Sequence, residues 1–309
     1  MKYINKIEDI KIQEKTAITL GKFDGVHVGH QKLIHNVIKK QEEGFNSVVF
    51  TFDKPVGAFL GDRDVKVLLT KEERHTVFSK YNLDYVVECE FTEELAHMSA
   101  EAFIEEIIVK RLNAGYITVG TDYSFGYKAK GNYKLLQQFA TKYGYEVEVV
   151  DKIEYKGEEV SSTRIRNCIE KGEMEDANNM LGFQYPIIAE VVHGKKLGRT
   201  LGMPTINLIP SEEKLLPPNG VYVSRTIVDG KIFGGVTNIG YKPTVSDELI
   251  RGVETFIFDY SGDLYGKIIQ VELLVFERPE QKFETIECLK EQIEKDVEFS
   301  RKYLVDNFI

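Results

Sequence analysis

Short β-branched apolar runs alternate with stretches of helical spacing through the first half of the chain. Thr16–Leu20, Ser47–Phe52, Asp84–Glu88, Gly115–Gly120 and Glu146–Val150 each read as a strand. Between them, Leu33, Ile34, Val37 and Ile38 fall on one helical face. Phe103, Ile104, Ile107, Ile108 and Leu112 fall on another, with Ser99 placed as its N-cap. Leu135, Leu136 and Phe139 mark a third helix. Alternation of this kind predicts a parallel α/β sheet with helices on both faces and ligands at the carboxyl ends of the strands.

The texture changes after Leu181–Pro186. Pro186–Val192, Gly220–Thr226, Ile232–Ile239, Val253–Phe258 and Lys267–Phe276 are β-rich runs separated by Gly and Pro turns. They predict an antiparallel barrel or sandwich. Ile286, Leu289, Ile293, Val297 and Leu304 then line one face of a terminal helix, a stripe that core packing explains. The expected fold is therefore α/β plus β, with domains over 1–182 and 183–309.

Length agrees, since 309 residues exceed one ordinary core. Net charge is −9, which argues against a nucleic-acid partner but leaves room for a small phosphate ligand held by a few local donors. Cys89, Cys168 and Cys288 lie far apart and form no CxxC pair, so buried thiols are expected rather than a disulfide framework or zinc site. The opening Met1–Lys15 mixes Lys and Glu without an apolar run, and no later segment approaches the roughly 20 apolar residues of a membrane span. A cytoplasmic protein without membrane contact is expected. The sequence leaves its oligomeric state open.

Three segments carry candidate chemistry. Gly21-Lys-Phe-Asp-Gly-Val-His-Val-Gly-His30 joins the first strand to the first helix. Glycines there let backbone approach a phosphate, and His27 and His30 sit at a helix start that favours anions. Two histidines in that place could also be caps or metal ligands; the order of strand, glycine turn, histidines and helix favours phosphate. Val160-Ser-Ser-Thr-Arg-Ile-Arg166 puts hydroxyls and two arginines at another helix start. Alone it reads as an ordinary N-cap; beside the first segment it reads as a second phosphate clamp. His193-Gly-Lys-Lys-Leu-Gly-Arg-Thr-Leu-Gly-Met-Pro-Thr-Ile-Asn207 is a glycine-rich basic loop leading to Pro204, Thr205 and Asn207. A solvated hairpin accounts for the loop by itself. Thr205 and Asn207, two apart on a strand, face one side and could address one Mg²⁺–phosphate group.

GKFDGVHVGH, VGTDYSFG and VSSTRIR, in this order, resemble the bacterial bifunctional riboflavin kinase/FMN adenylyltransferase (FAD synthetase) family. Gly220-Val-Tyr222, Asn238-Ile-Gly-Tyr-Lys-Pro-Thr244 and Glu254-Thr255 extend the resemblance over roughly residues 10 to 300. Each motif alone is weak, but five or six in order are not. The resemblance implies a Rossmann-like nucleotidyltransferase sheet, with HIGH-type and KMSKS-like elements, and a six-stranded antiparallel β-barrel. It implies ATP-dependent phosphorylation of riboflavin to FMN, then adenylylation of FMN to FAD with release of pyrophosphate, both with Mg²⁺. Carried over, His27 and His30 are catalytic beside an ATP site of Gly21, Phe23, Asp24, Gly29, Asp122, Ser161, Ser162, Thr163 and Arg164. In the barrel, Glu254 is the catalytic base. ATP and flavin fall to Gly194, Lys196, Gly198, Arg199, Pro204, Thr205 and Asn207, with Thr205 and Asn207 serving Mg²⁺ through the phosphates.

Four positions depart from the family pattern. Thr51-Phe-Asp-Lys-Pro-Val56 lacks the histidine of the usual Pro-His-Pro segment, leaving Lys54 as the cation there. Gly131-Asn132 replaces Gly-Asp, Ala189 replaces a frequent glycine, and Tyr241-Lys242 stands where arginine is common before Pro-Thr. Two alternatives stay open: a chain with only its kinase half active, and a flavin-binding regulatory protein without turnover.

Overall fold

The computed structural model describes residues 1–59, 66–194, 198, 202–243 and 249–308. They divide into two compact units, residues 1–67 with 74–162, and residues 68–73 with 163–309.

In the first unit, β1 (Lys2–Ile4), β2 (Thr16–Leu20), α1 (Val28–Lys39), β3 (Asn46–Phe52), α2 (Val56–Phe59), α3 (Lys71–Phe78) and β4 (Tyr85–Cys89) follow in chain order. Residues 71–73 of α3 fall in the second unit. Next come α4 (Glu93–His97), α5 (Ala100–Ala102) and β5 (Ala114–Gly120). A two-residue ribbon, β6 (Ser124–Phe125) with β7 (Gly131–Asn132), then leads to α6 (Tyr133–Tyr143) and β8 (Glu146–Val150). The sheet is parallel, in the order β1-β4-β3-β2-β5-β8. β2 is buried at every position, as an inner parallel strand covered on both faces must be. From β2 the chain moves outward to β3 and β4, then returns to place β5 on the other side of β2. That reversal opens a crevice at the carboxyl ends of β2 and β5.

Ile18, Phe50, Val87, Ile117 and Val119 form the sheet's share of the core, against Phe103, Ile104, Ile107 and Ile108. The Ser99 hydroxyl caps α5 by accepting from the Ala102 amide. Beyond it, Phe103–Arg111 winds as a π-helix, its last turn closed by the Leu112 amide on the Ile107 carbonyl. The apolar stripe foretold a helix there but not the wider winding. β1 was not foreseen, because three residues carry too little pattern.

The second unit contains α7 (Ser162–Lys171, shared with the first unit at Ser162) and α8 (Met174–Leu181). Six strands follow: β11 (Tyr185–Val192), β12 (Thr205–Leu208), β13 (Gly220–Val228), β14 (Lys231–Pro243), β15 (Leu249–Ile257) and β16 (Ile268–Pro279). They close as an antiparallel barrel in the order β11-β12-β15-β14-β13-β16. A further ribbon, β9 (Glu154–Tyr155) with β10 (Glu158–Glu159), precedes α7 in the first unit. Tyr222, Val223, Val271 and Leu273 are buried in the barrel, along with a chain of hydroxyls in which Thr237 contacts Ser224 at 2.7 Å and Thr255 at 2.8 Å.

α8 is tied to the barrel by Asn178, which donates to the Leu273 carbonyl and accepts from the Tyr185 amide. α9 (Ile286–Phe308) docks through Arg278–Asp296, and Gly234 leaves the space that Leu304 fills. Residues 68–73 are held in this unit by a buried ion pair. Lys214 Nζ lies 2.6 Å from Glu73 Oε2, donates to the Leu68 carbonyl and sits over the Tyr185 ring. No helix among the described residues is long and apolar enough to cross a membrane.

Candidate active sites

The loop after β2 is coiled tightly enough to bring its functional groups back over the strand end. Phe23, Gly25 and Val26 all have positive φ, at 48°, 82° and 42°. A β-branched residue there is strained, by roughly 1–3 kcal/mol. Local bonds hold it: Val26 N–H donates to the Phe23 carbonyl, and the Gln31 side-chain Nε2 donates to the Val26 carbonyl. Two further bonds anchor the loop from outside. Thr51 at the end of β3 donates its hydroxyl to the Lys22 carbonyl at 3.0 Å, and Ser162 donates to the Asp24 carbonyl at 2.8 Å.

His27 takes the N-cap position of α1 without capping it through its side chain. His30 follows three residues later, so the two rings stack at 3.8 Å and 22°. Phe23, fully buried, backs His30 at 5.0 Å. Gly29 is small for a reason: a Cβ there would sit 3.2 Å from the His27 ring. Burial pushes the His27 imidazole down from 6.5 to about 4, although the Asp122 carboxylate pulls the other way. Burial, and then the neighbouring His27, also lower His30 well below its ordinary value. Both rings are therefore neutral at pH 7, and both Nδ1 atoms are buried without a hydrogen-bond partner. Asp122 follows the end of β5 and carries Lys152 at 3.4 Å. A helix start, two neutral imidazoles and a carboxylate thus meet at the switch point of the sheet, an arrangement suited to phosphate groups.

Of the residues expected here, the structure brings together Gly21, Phe23, Asp24, His27, Gly29, His30, Asp122 and Ser162. Ser162 contacts loop backbone. Ser161 precedes α7, while Thr163 and Arg164 lie on it within the second unit. Sequence reasoning missed Thr51 and Lys152. The hydroxyl of Thr51 in a β-branched run reads as one more strand residue.

On the barrel, the Thr205 hydroxyl donates to Glu254 Oε1 at 2.6 Å. Asn207 stands directly opposite Glu254 in the β12–β15 pairing. Gly194 crosses so near Asn207 that a Cβ would lie 2.4 Å from its amide nitrogen. Gly198 approaches in the same way, 2.4 Å from the Met203 carbonyl and 3.3 Å from the Thr205 hydroxyl. At these two positions the lack of a side chain lets backbone approach the strand that carries both polar side chains. Lys196 and Arg199 lie outside the described residues, as does Thr244 of the Pro-Thr motif. A cleft of about 420 Å³ opens beside Thr205, lined by Val191, Pro204, Ile257, Asp263 and Tyr265 among others. The last two were missed, although Ser261-Gly-Asp263 between two β runs marks a turn able to present them. The His193 ring packs on Tyr265 at 4.0 Å.

Residues 9–164 match the family model of FAD synthetase, and residues 181–304 match that of riboflavin kinase. A bifunctional riboflavin kinase/FMN adenylyltransferase of Haemophilus influenzae is 34% identical over 95% of this chain and 96% of its own length. The chain belongs to the bifunctional riboflavin kinase/FMN adenylyltransferase family. A Bacillus subtilis member is 35% identical over 94% of this chain and 93% of its own. A solved Streptococcus pneumoniae structure, named a macrolide-efflux protein, superposes with a TM-score of 0.87 at 30% identity. It covers 97% of this chain and 98% of its own. Both the family's parallel sheet and its closed six-stranded barrel are present here, as the sequence led one to expect.

Proposed function

We propose that this chain makes flavin cofactors in two ATP-dependent steps: riboflavin to FMN on the barrel, then FMN to FAD at the parallel sheet. The juxtaposition of Thr205, Asn207 and Glu254 on paired strands carries the first assignment. The stacked, neutral His27 and His30 at the sheet's switch point carry the second.

In the first step, Glu254 accepts the proton of the riboflavin 5′-hydroxyl as that oxygen attacks the γ-phosphorus of ATP and ADP leaves. The bond from Thr205 orients the carboxylate. Thr205 and Asn207 offer a hydroxyl and an amide oxygen to the nucleotide phosphates, beside the backbone of Gly194 and Gly198. This donor set fits Mg²⁺, which takes few protein oxygens and completes its shell with phosphate and water. Among the described residues no cluster of three or more His, Cys, Asp or Glu offers a competing metal site. Held by Thr205 and Asn207, Mg²⁺ would neutralise phosphate charge. Lys196 and Arg199 are assigned to the same phosphates by their motif.

In the second step, a phosphate oxygen of FMN attacks the α-phosphorus of ATP in line and pyrophosphate leaves. No covalent enzyme intermediate is required, so positioning and charge stabilisation dominate. Neutral His27 and His30 donate hydrogen bonds to phosphate oxygens as charge builds, and the start of α1 adds its partial positive charge. Ser161, Thr163 and Arg164 are assigned to the triphosphate by their motif.

A cytoplasmic setting belongs to this proposal. Burial pushes the Cys89 thiol up to about 12 and Cys168 to about 11, which suits inert thiols, whereas Cys288 is exposed, against the expectation of three buried thiols.

Riboflavin incubated with Mg-ATP should give FMN, then FAD, with ADP and pyrophosphate released. Absence of both by-products overturns the proposal. FMN without FAD supports the half-active alternative, and tight flavin binding without turnover supports the regulatory one.

A further inference from the structure

A buried arginine at the carboxyl end of the parallel sheet has no part in the chemistry above. Arg74, on α3, is 7% exposed. Its Nη2 faces three acceptors: the Phe52 carbonyl at 3.0 Å, the Asp53 carbonyl at 3.2 Å and Glu88 Oε1 at 2.5 Å. Glu88, on β4, is itself 1% exposed and takes His75 Nε2 on its other oxygen at 2.7 Å. Burial alone would push the Glu88 carboxyl up, but His75 and Arg74 outweigh it and hold the group below its ordinary value. The guanidinium is thus locked in place by an ionised carboxylate.

The two carbonyls it holds belong to the turn that leaves β3. Such carbonyls have lost their strand partners and need donors when buried. The rigid guanidinium plane fixes where Nη2 stands between them, which a lysine ammonium on its flexible stem does less well. The same strand end supports the histidine loop. Gly21 N–H donates to the Phe50 carbonyl, and Thr51 donates to the Lys22 carbonyl. Asp53 N–H is fixed in turn to the Cys89 carbonyl. A continuous line of bonds therefore runs from Glu88 through Arg74 and the β3 terminus to the loop carrying His27. This is also the segment where the family's histidine is missing, at Asp53-Lys54-Pro55. Asp53 Oδ1 and Arg74 Nε are both buried there without a partner, so the corner is not a closed structural network.

We infer that Arg74 is a positioning residue for adenylyl transfer, setting the end of β3 and, through it, the loop that carries His27. This rests on the assignment of FAD formation to the parallel sheet. A shift of the β3 terminus by about 1 Å would cost on the order of 100-fold in turnover.

The test uses the full chain and reads FAD formation from FMN and FMN formation from riboflavin in one preparation. Arg74→Lys keeps a cation beside Glu88 but loses the fork. Arg74→Met with Glu88→Gln removes both charges, so no bare buried ion compromises folding. Both variants should stay cooperatively folded and keep their FMN formation, the double variant with a lower melting temperature because two buried carbonyls lose their donor. Both should lose about tenfold or more in kcat for FAD formation, with KM for ATP changed far less, and the lysine variant should retain more. Wild-type kcat in the double variant, or parallel loss of both activities, would overturn the inference. Failure of the wild-type chain itself to make FAD would instead overturn the assignment of the reaction.

Discussion

His27 couples the proposed adenylylation site to acid stability, and the sign of that coupling is fixed by its burial. In the unfolded chain an imidazole titrates near 6.5. In the folded protein burial lowers His27 to about 4. Between these values the unfolded chain takes up a proton that the folded chain refuses, so stability falls as pH drops through the window. At about 1.36 kcal/mol per unit, the wild-type loss from this one ring is roughly 3 kcal/mol. His30 adds to it in the same direction. His27→Gln removes the titration while keeping a polar side chain. Urea unfolding of both proteins at neutral pH and across the window measures the difference. The chain has no tryptophan, so far-UV circular dichroism is the suitable probe. The variant should have the flatter acid limb by an amount of that order. Equal acid limbs would mean that His27 is already solvated and titrates normally, and the neutral-imidazole account of the site would fall with it.

Three further outcomes follow from the geometry. His30→Ala should cut FAD formation and spare FMN formation, and Glu254→Gln should do the reverse. Equal loss of both in a folded variant, read by product chromatography, would break the allotment of one reaction to each site. Gly194→Ala puts a methyl 2.4 Å from the Asn207 amide. FMN formation should fall about tenfold, while FAD formation from added FMN stays unchanged in the same assay. Lys214→Met leaves Glu73 in the interior without its cation. The loss should be about 3–5 kcal/mol, visible by calorimetry as a lower melting temperature, and an unchanged melt would contradict the burial of that pair.

The longer strands of both units were legible because burial leaves a two-residue or continuous apolar signature, whereas β1 and the β9–β10 ribbon, short and little buried, were not. The histidine loop was legible because glycine, histidine and helix start fall within ten consecutive residues. Arg74 and Glu73 were not. They sit in Lys71-Glu-Glu-Arg-His75, which reads as a solvated charged turn, yet Glu73 is 1% and Arg74 7% exposed. Their partners, Lys214 and Glu88, are 141 and 14 residues away, and nothing local marks a charge that will be neutralised at such a distance. The barrel's buried hydroxyls escaped for the same reason, since Ser224, Thr237 and Thr255 satisfy one another only after the strands have closed.

Residues 68–73 have a bearing on how such a chain can be taken apart. They are encoded in the first third of the sequence but complete the packing around Lys214, more than 140 positions later. A single cut between the two catalytic halves, wherever it is made after α3, strips the barrel of the carboxylate that its innermost lysine depends on. Gene fission, fragment expression or module shuffling would therefore have to carry that hexapeptide along or replace the lysine with something greasy. The two halves carry separate reactions, but their covalent histories are interleaved.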